Sequence, residues 1–358
     1  MKEHNYKEEM EDLVLRAISS GASDIHLTAE HYPTLRASDH LLPLTNTRVL
    51  KPEDTTGLLK ELVSSEKMER FLAERELDFS YDFYGKGRFR GNAFFQKGAV
   101  SVALRLIPTH IQTVAELNLP PILEMFARKK QGFFLVVGPV GQGKSTTLAA
   151  MIELINHERA EHIVTIEDPI EHIFTGDKSI IDQREAGIDT QTFHTGLQAV
   201  FRQDVDIIMI GEMRDPETIS VAVTAAETGH LVFSTLHTNN ASQTIDRIID
   251  SFPGHQQPQI RLQLASGLLG IFSQRLIPRV SGGLIPAYEL LINNNAVSSL
   301  IREGRTHEID MVIETGTKDG MIDMNRCLSD LVRKGEITAQ NALLYSFNPK
   351  GLERVLDL

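Results

Sequence analysis

The chain is nearly free of cysteine: Cys327 is the only one in 358 residues. One thiol excludes an internal disulfide and any four-cysteine zinc element. Cys327 sits in an amphipathic stretch with Leu328 and Leu331, the pattern of a buried core thiol rather than a reactive one. No apolar run approaches the roughly 18 residues of a membrane-spanning helix. The opening, Met1 to Glu9, is charged and lacks the apolar core of a secretory signal. These features lead to the expectation of a cytoplasmic protein. Clustered basic residues are missing too, for the formal net charge is −12 and no long basic run occurs. Phosphate-backbone binding depends on clustered Lys and Arg, so no nucleic-acid partner is expected. There is no low-complexity segment and no short-period repeat.

What is present centres on residues 132–146. Phe133 to Val137 form a short apolar run with the length of a buried strand. It ends at Gly138, and Gly138-x4-Gly143-Lys144-Ser145 matches the phosphate-binding loop in full. Leu148, Met151, Ile152 and Ile155 then follow at helical spacing. Strand, glycine loop and helix therefore come in the order this chemistry requires. Glycines let backbone N–H groups curl around an anion, and the helix N-terminus adds partial positive charge. The candidate nucleotide-binding residues are Gly138, Pro139, Val140, Gly141, Gln142, Gly143, Lys144, Ser145 and Thr146. Lys144 is placed to reach the β- and γ-phosphates of ATP and Ser145 to hold Mg²⁺.

The length suffices for two domains, and 41% hydrophobic with 23% charged residues describes a globular protein. Helical spacing occurs over 10–18, 52–63 and near 66–74, with an alternating stretch from Ile25 to Leu27. Strict alternation from Leu77 to Phe83, then strands over 88–96 and 99–107 joined by glycine turns, predict an antiparallel meander. Pro108 to about Val114 reads as a connection, and a short helix is expected after Pro120 and Pro121. Beyond it, strands over 132–137, 163–166, 205–210 and 231–235 alternate with helical patterns, the mark of a parallel sheet covered by helices. After about residue 240 the pattern reads as helical through Leu262, Leu264, Leu268 and Leu269. One further strand is expected over Leu284 to Ile292, and short helices after it.

Hydrolysis calls for a carboxylate to orient or deprotonate the attacking water. Two predicted strands run into candidates: Ile163–Ile166 into Glu167 and Asp168, and Asp206–Ile210 into Gly211 and Glu212. Ligands of open α/β sheets sit at the carboxyl ends of the strands, which favours Glu167 and Glu212. Asp168 and Asp206 fit a turn cap as readily. His230 and His237 bracket the run Leu231 to Leu236, and His237 falls just past the strand end, where a side chain can sense a γ-phosphate. In the N-terminal meander Arg88 and Arg90 share one face of a strand, and Arg105 lies on the next. A solvated face paired with Asp78 and Asp82 is one reading of these arginines. A contribution to phosphates is the other.

At this point the chain resembles the type IV pilus retraction ATPases (the PilT family) of the secretion ATPase superfamily. The likeness runs nearly end to end, through Ala22 to Leu27, Gly87 to Arg90, Leu104 to Pro108, the phosphate loop, Ile166 to Glu171, Asp206 to Asp215, and Gly229 to Thr238. It implies an α/β fold: a PAS-like α+β domain over 1–108, a linker over 109–118, and a RecA-like ATPase domain with C-terminal helices over 119–358. It implies a homohexameric motor turning ATP hydrolysis into pilus retraction, with ATP between the domains and Arg88, Arg90 and Arg105 facing its phosphates. Glu167 then resembles the water-activating glutamate, and Glu212 the Walker B glutamate, which meets Mg²⁺ through a water. The implied partners are an inner-membrane platform protein, which holds the motor at the membrane's inner face, and paralogous pilus ATPases.

The departures from the family are local. Val140 and Gln142 replace the usual Thr and Ser, and the Gln142 amide is a candidate to touch the phosphates. Ala296 to Ile301 carries Ser298 and Ser299 where the retraction ATPases carry Arg and Asn. The single cysteine cannot build the zinc element usual in the assembly and secretion relatives, which favours the retraction type. The alternative reading is an accessory nucleotide-binding subunit with little turnover of its own.

Overall fold

The computed structural model describes residues 5–37, 40–107 and 110–357. The first four residues of the chain's charged opening, and Pro108 and Thr109 of the expected connection, lie outside them. The chain divides into two compact units, 1–110 and 111–358.

The first unit starts with α1 (Tyr6–Ser19), whose N-cap Asn5 side chain accepts a hydrogen bond from the Glu8 N–H. Its apolar stripe of Met10, Leu13, Val14 and Ala17 is buried. There follow β1 (Asp24–Thr28), β2 (Thr34–Ala37), β3 (His40–Pro43), α2 (Pro52–Leu62), α3 (Ser65–Glu74), β4 (Glu76–Asp82), β5 (Arg88–Gln96) and β6 (Ala99–Ile107). The six strands form one antiparallel sheet in the order β3-β2-β1-β6-β5-β4. Its inward residues, among them Ile25, Leu27, Phe79, Phe89 and Val102, share a core with Leu58 and Leu59 of α2 and Phe71 of α3. The meander is β4-β5-β6 as expected, but β2 and β3 extend the sheet beyond it. All four positions of β3 are exposed, so it carries no alternation to read.

The second unit comprises α4 (Ile122–Ala127), β7 (Gly132–Val137), α5 (Lys144–Glu158), β8 (His162–Glu167), β9 (Ile180–Glu185), α6 (Phe193–Val200), β10 (Ile207–Ile210), α7 (Pro216–Glu227) and β11 (Leu231–Leu236). It continues through α8 (Ala241–Asp250), α9 (Gln257–Gly267), β12 (Leu268–Pro278), β13 (Leu284–Ile292), α10 (Asn295–Glu303), α11 (Ile309–Thr315), α12 (Met324–Arg333), α13 (Ala339–Tyr345) and α14 (Pro349–Leu356). Seven strands run in the order β13-β12-β7-β11-β10-β8-β9, all parallel except β13. Every residue of β7 is buried, because alternate side chains feed two cores. Phe133, Leu135 and Val137 enter one with Ile208, Ile245 and Leu264, while Phe134 and Val136 enter the other with Phe126, Met151 and Ile155.

Three features differ from the sequence-based expectation. The helical reading through Leu268 and Leu269 is corrected: a strand, β12, begins there and fills the place beside β7. β9 was not foreseen, since its run of Asp182, Gln183, Arg184 and Glu185 has no apolar alternation. The segment after Ile111 is no free tether either, because Val114 and Leu119 belong to the core beneath β7. Cys327 lies in α12 and is buried with Leu328, Ile285 and Ile337 as expected. Its Sγ accepts from the Tyr288 N–H at 3.4 Å, and burial pushes the thiol up to about 12.

On β13, Glu289 is buried and its Oε1 accepts from the Ala241 N–H at 2.9 Å, in the first turn of α8. Burial pushes its carboxyl up to about 7, against 4.5 for a free glutamate. The folded state therefore holds this proton longer than the unfolded state, so the contribution of Glu289 to stability falls as pH rises from 4.5 to 7. In Glu289→Gln that decline disappears while an acceptor for Ala241 remains. Relative to wild type, the variant should gain on the order of 3 kcal/mol between pH 4.5 and 7.5, read from melting curves across that range.

Candidate active site

The carboxyl ends of β7, β8, β10 and β11 converge on one cleft of about 470 Å³, lined by the glycine loop, Glu167, Glu171, Glu212, Thr235, His237 and Leu276 among others. The cleft lies wholly within the second unit. Its floor is the turn from β7 to α5. Gly138, Gly141 and Gly143 have φ of +150°, +76° and +75°, a region open to glycine at little cost. Crowding reinforces this at Gly138, where a Cβ would lie 2.5 Å from the Gln274 carbonyl oxygen on β12.

Lys144 opens α5 and is buried. Its ammonium donates to the carbonyls of Gly138 and Pro139, both at 2.9 Å, and lies 3.3 Å from His237 Nδ1. Burial lowers its pKa to about 8, with Glu212 pulling the other way. Ser145 and Thr146 stand on the cleft wall in the same turn, whereas Val140 is 80% exposed at the loop's tip. Gln142 also lines the cleft, and its Oε1 accepts from the Leu276 N–H of β12 at 2.7 Å.

Glu167 ends β8 and is buried. Its Oε1 accepts from the Thr165 hydroxyl at 2.7 Å and from Gln183 Nε2 at 3.3 Å. Burial outweighs these bonds and raises its pKa to about 7. Across the neighbouring strand ends, Glu212 pairs with Arg214, and its other oxygen lies 3.5 Å from His237 Nε2. A donor from Lys144 at Nδ1 and a carboxylate facing Nε2 suit a neutral ring with its proton on Nε2. Burial, then the charge of Lys144, lowers the His237 pKa accordingly. Lys144, His237, Glu212 and Arg214 thus form one polar chain across the cleft.

Of the other sequence candidates, Asp168 lines the cleft. Asp206 and His230 sit at the opposite, amino ends of their strands. Asp206 accepts from the His162 N–H at 2.8 Å, and His230 bonds the Ala225 carbonyl and packs its ring edge-on with Phe201. Arg88, Arg90 and Arg105 lie on β5 and β6 of the first unit. Arg90 and Arg105 are cross-strand partners, and Arg105 pairs with Asp24 at 3.0 Å. Asp78 accepts from the Asn92 side-chain amide at 3.0 Å, and Asp82 accepts from the Gly85 N–H at 3.0 Å. Sequence reasoning missed β12, whose Ser273, Gln274 and Arg275 are all buried behind the loop. Three adjacent polar residues inside an apolar run were the only signal.

Profile comparison matches residues 89–325 to the family described as type II/IV secretion system protein. The chain belongs to that family. It is 40% identical to the type IV pilus retraction ATPase PilT of Pseudomonas aeruginosa, over 92% of this chain and 96% of that protein. It is 39% identical to the type IV pilus ATPase PilU of the same organism, over 98% of this chain and 92% of PilU. Among solved structures, the pilus retraction motor PilT with bound ADP superposes with a TM-score of 0.90 at 45% identity, covering 96% and 98% of the two chains. The Legionella pneumophila ATPase DotB gives 0.84 at 26% identity, covering 97% and 96%. A RecA-like ATPase domain preceded by a smaller α+β domain is thus the architecture of this chain.

Gly138→Ala should fold poorly in the second unit, because the clash is with main chain and no rotamer relieves it. The expected cost is about 1–3 kcal/mol, measured as a lower melting temperature; an unchanged melting curve would contradict the packing of the loop on β12.

Proposed function

We propose that this chain is the ATP-hydrolysing subunit of a hexameric motor that drives type IV pilus retraction. The observation that supports this most is the meeting of a complete phosphate loop with Glu167 and Glu212 in one cleft. The identity to PilT along nearly the whole chain supports the retraction assignment. An inner-membrane platform protein and paralogous pilus ATPases are the proposed partners. The PilU likeness supports the latter. Attachment at the membrane would then run through partners, since no described helix is long and apolar enough to cross a membrane.

In the proposed mechanism the loop amides and Lys144 hold the β- and γ-phosphates at the start of α5. Glu167, with its raised pKa, takes a proton from the attacking water at its carboxylate. Glu212 and His237 keep that water and the γ-phosphate in register from the neighbouring strand ends. The cleft also suits a hard cation: it offers the Ser145 hydroxyl and carboxylates but, among the described residues, no cluster of three ligating side chains. Mg²⁺ commonly takes one or two protein oxygens and completes its shell with phosphate and water. Ser145, and Glu212 through a water, would hold it, and it would neutralise phosphate charge. Arg88, Arg90 and Arg105 are proposed to offset charge on the phosphates in the assembled motor.

Two outcomes test this reading. Turnover per subunit should rise with protein concentration and then saturate if assembly completes the site; absence of turnover at every concentration would favour an accessory subunit. Glu167→Gln and Glu212→Gln should each lose on the order of 10² or more in kcat, and Arg88→Ala should also slow turnover. Wild-type rates in any of them would remove the role assigned to that residue.

The pH profile follows from the same groups. Glu167 must be ionised and Lys144 protonated, so kcat/KM should climb through about pH 7 and decline above about pH 8. A flat profile over that range would contradict the assignment.

A further inference from the structure

The mechanism leaves unused a pair of amides behind the loop. Gln274 on β12 is 2% exposed, and its side chain reaches both flanks of the Gly143 turn. Its Oε1 accepts from the Thr147 hydroxyl at 2.7 Å, and its Nε2 donates to the Gln142 carbonyl at 2.8 Å. Gln142 answers from the loop, with its Oε1 accepting from the Leu276 N–H at 2.7 Å. Gly143 between them has no Cβ, and one placed there would lie 3.0 Å from Gln274 Nε2. At the loop's other end the Gln274 carbonyl packs against Gly138.

From this geometry we propose that Gln142 and Gln274 form an amide clamp that fixes the loop on β12 and so sets nucleotide affinity. Both are positioning residues. Gln274 holds the loop through the main chain of Gln142 and through the first turn of α5, and Gln142 returns the tie to the main chain of β12. The proposal rests on the ATPase reading and adds to it the residues that hold the site's shape. Its physical basis is preorganisation: a loop already closed loses less freedom when a polyphosphate settles on its N–H groups. The clamp's bonds go to the loop main chain, the first turn of α5 and the main chain of β12, none of which is a reacting atom. Its loss should therefore appear as weaker binding more than as slower chemistry.

The test measures ADP affinity and steady-state ATP turnover for Gln274→Leu, Gln142→Ser and Thr147→Val. Gln274→Leu should raise KM for ATP and Kd for ADP about tenfold while kcat falls no more than threefold. Gln142→Ser and Thr147→Val, each losing one bond, should show two- to fivefold effects of the same kind. Leu331→Ala, in the C-terminal cluster away from the loop, controls for stability: it should lower the melting temperature without moving KM. If Gln274→Leu does not fold, the two single-bond variants decide the matter. Wild-type KM and Kd in all variants that fold, or a loss confined to kcat, would overturn the clamp. A KM shift of equal size in Leu331→Ala would overturn it as well. A wild-type protein that bound no nucleotide would overturn the ATPase reading and the clamp together, whereas normal wild-type binding with unaltered variants overturns the clamp alone.

Discussion

The first turn of a helix presents main-chain N–H groups that no carbonyl of the same helix can reach. In this chain the rest of the second unit is arranged to leave that turn of α5 facing a cleft. β7 delivers the chain to it, and three glycines with positive φ fold the loop beneath it. The parallel sheet then brings the ends of β8, β10 and β11 to the same edge, each with a polar residue just where its strand runs out. A hydrolytic site results from strand direction as much as from the identity of any side chain.

Burial does the electrostatic work there. Glu167 and Lys144 carry opposite charges, yet both move towards neutrality, one up to about 7 and the other down to about 8, for the same reason. Each has lost water that its hydrogen bonds replace only in part. Burial, then the charge of Lys144, favours the neutral form of His237, while Glu212 on its other side pulls the opposite way.

Much of this was legible in the sequence because it is written in short-range patterns. The spacing from Gly138 to Ser145, the apolar run of β7, and acids directly after β8 and β10 each need only a few neighbouring residues to be read. The unread parts depend on partners far along the chain. β12 mixes Ser273, Gln274 and Arg275 into an apolar run, and their burial makes sense only once Gln142, Thr147 and Asn239 are known to face them. β9 and β3, lying at sheet edges, lack the apolar alternation that marks a half-buried strand. The arginines of β5 and β6 were read correctly as residents of strands, while Asp78 and Asp82 serve Asn92 and a turn.

The solitary thiol has a practical meaning. Cys327 is packed among Leu328, Ile285 and Ile337, and burial holds it as a thiol far above neutral pH, so it presents no thiolate for an alkylating reagent to find. Reaction becomes open only when α12 lifts from β13. With no second cysteine to confuse the signal, the rate of labelling is a built-in clock for breathing of the C-terminal cluster, readable in the unmodified protein at rest or at work.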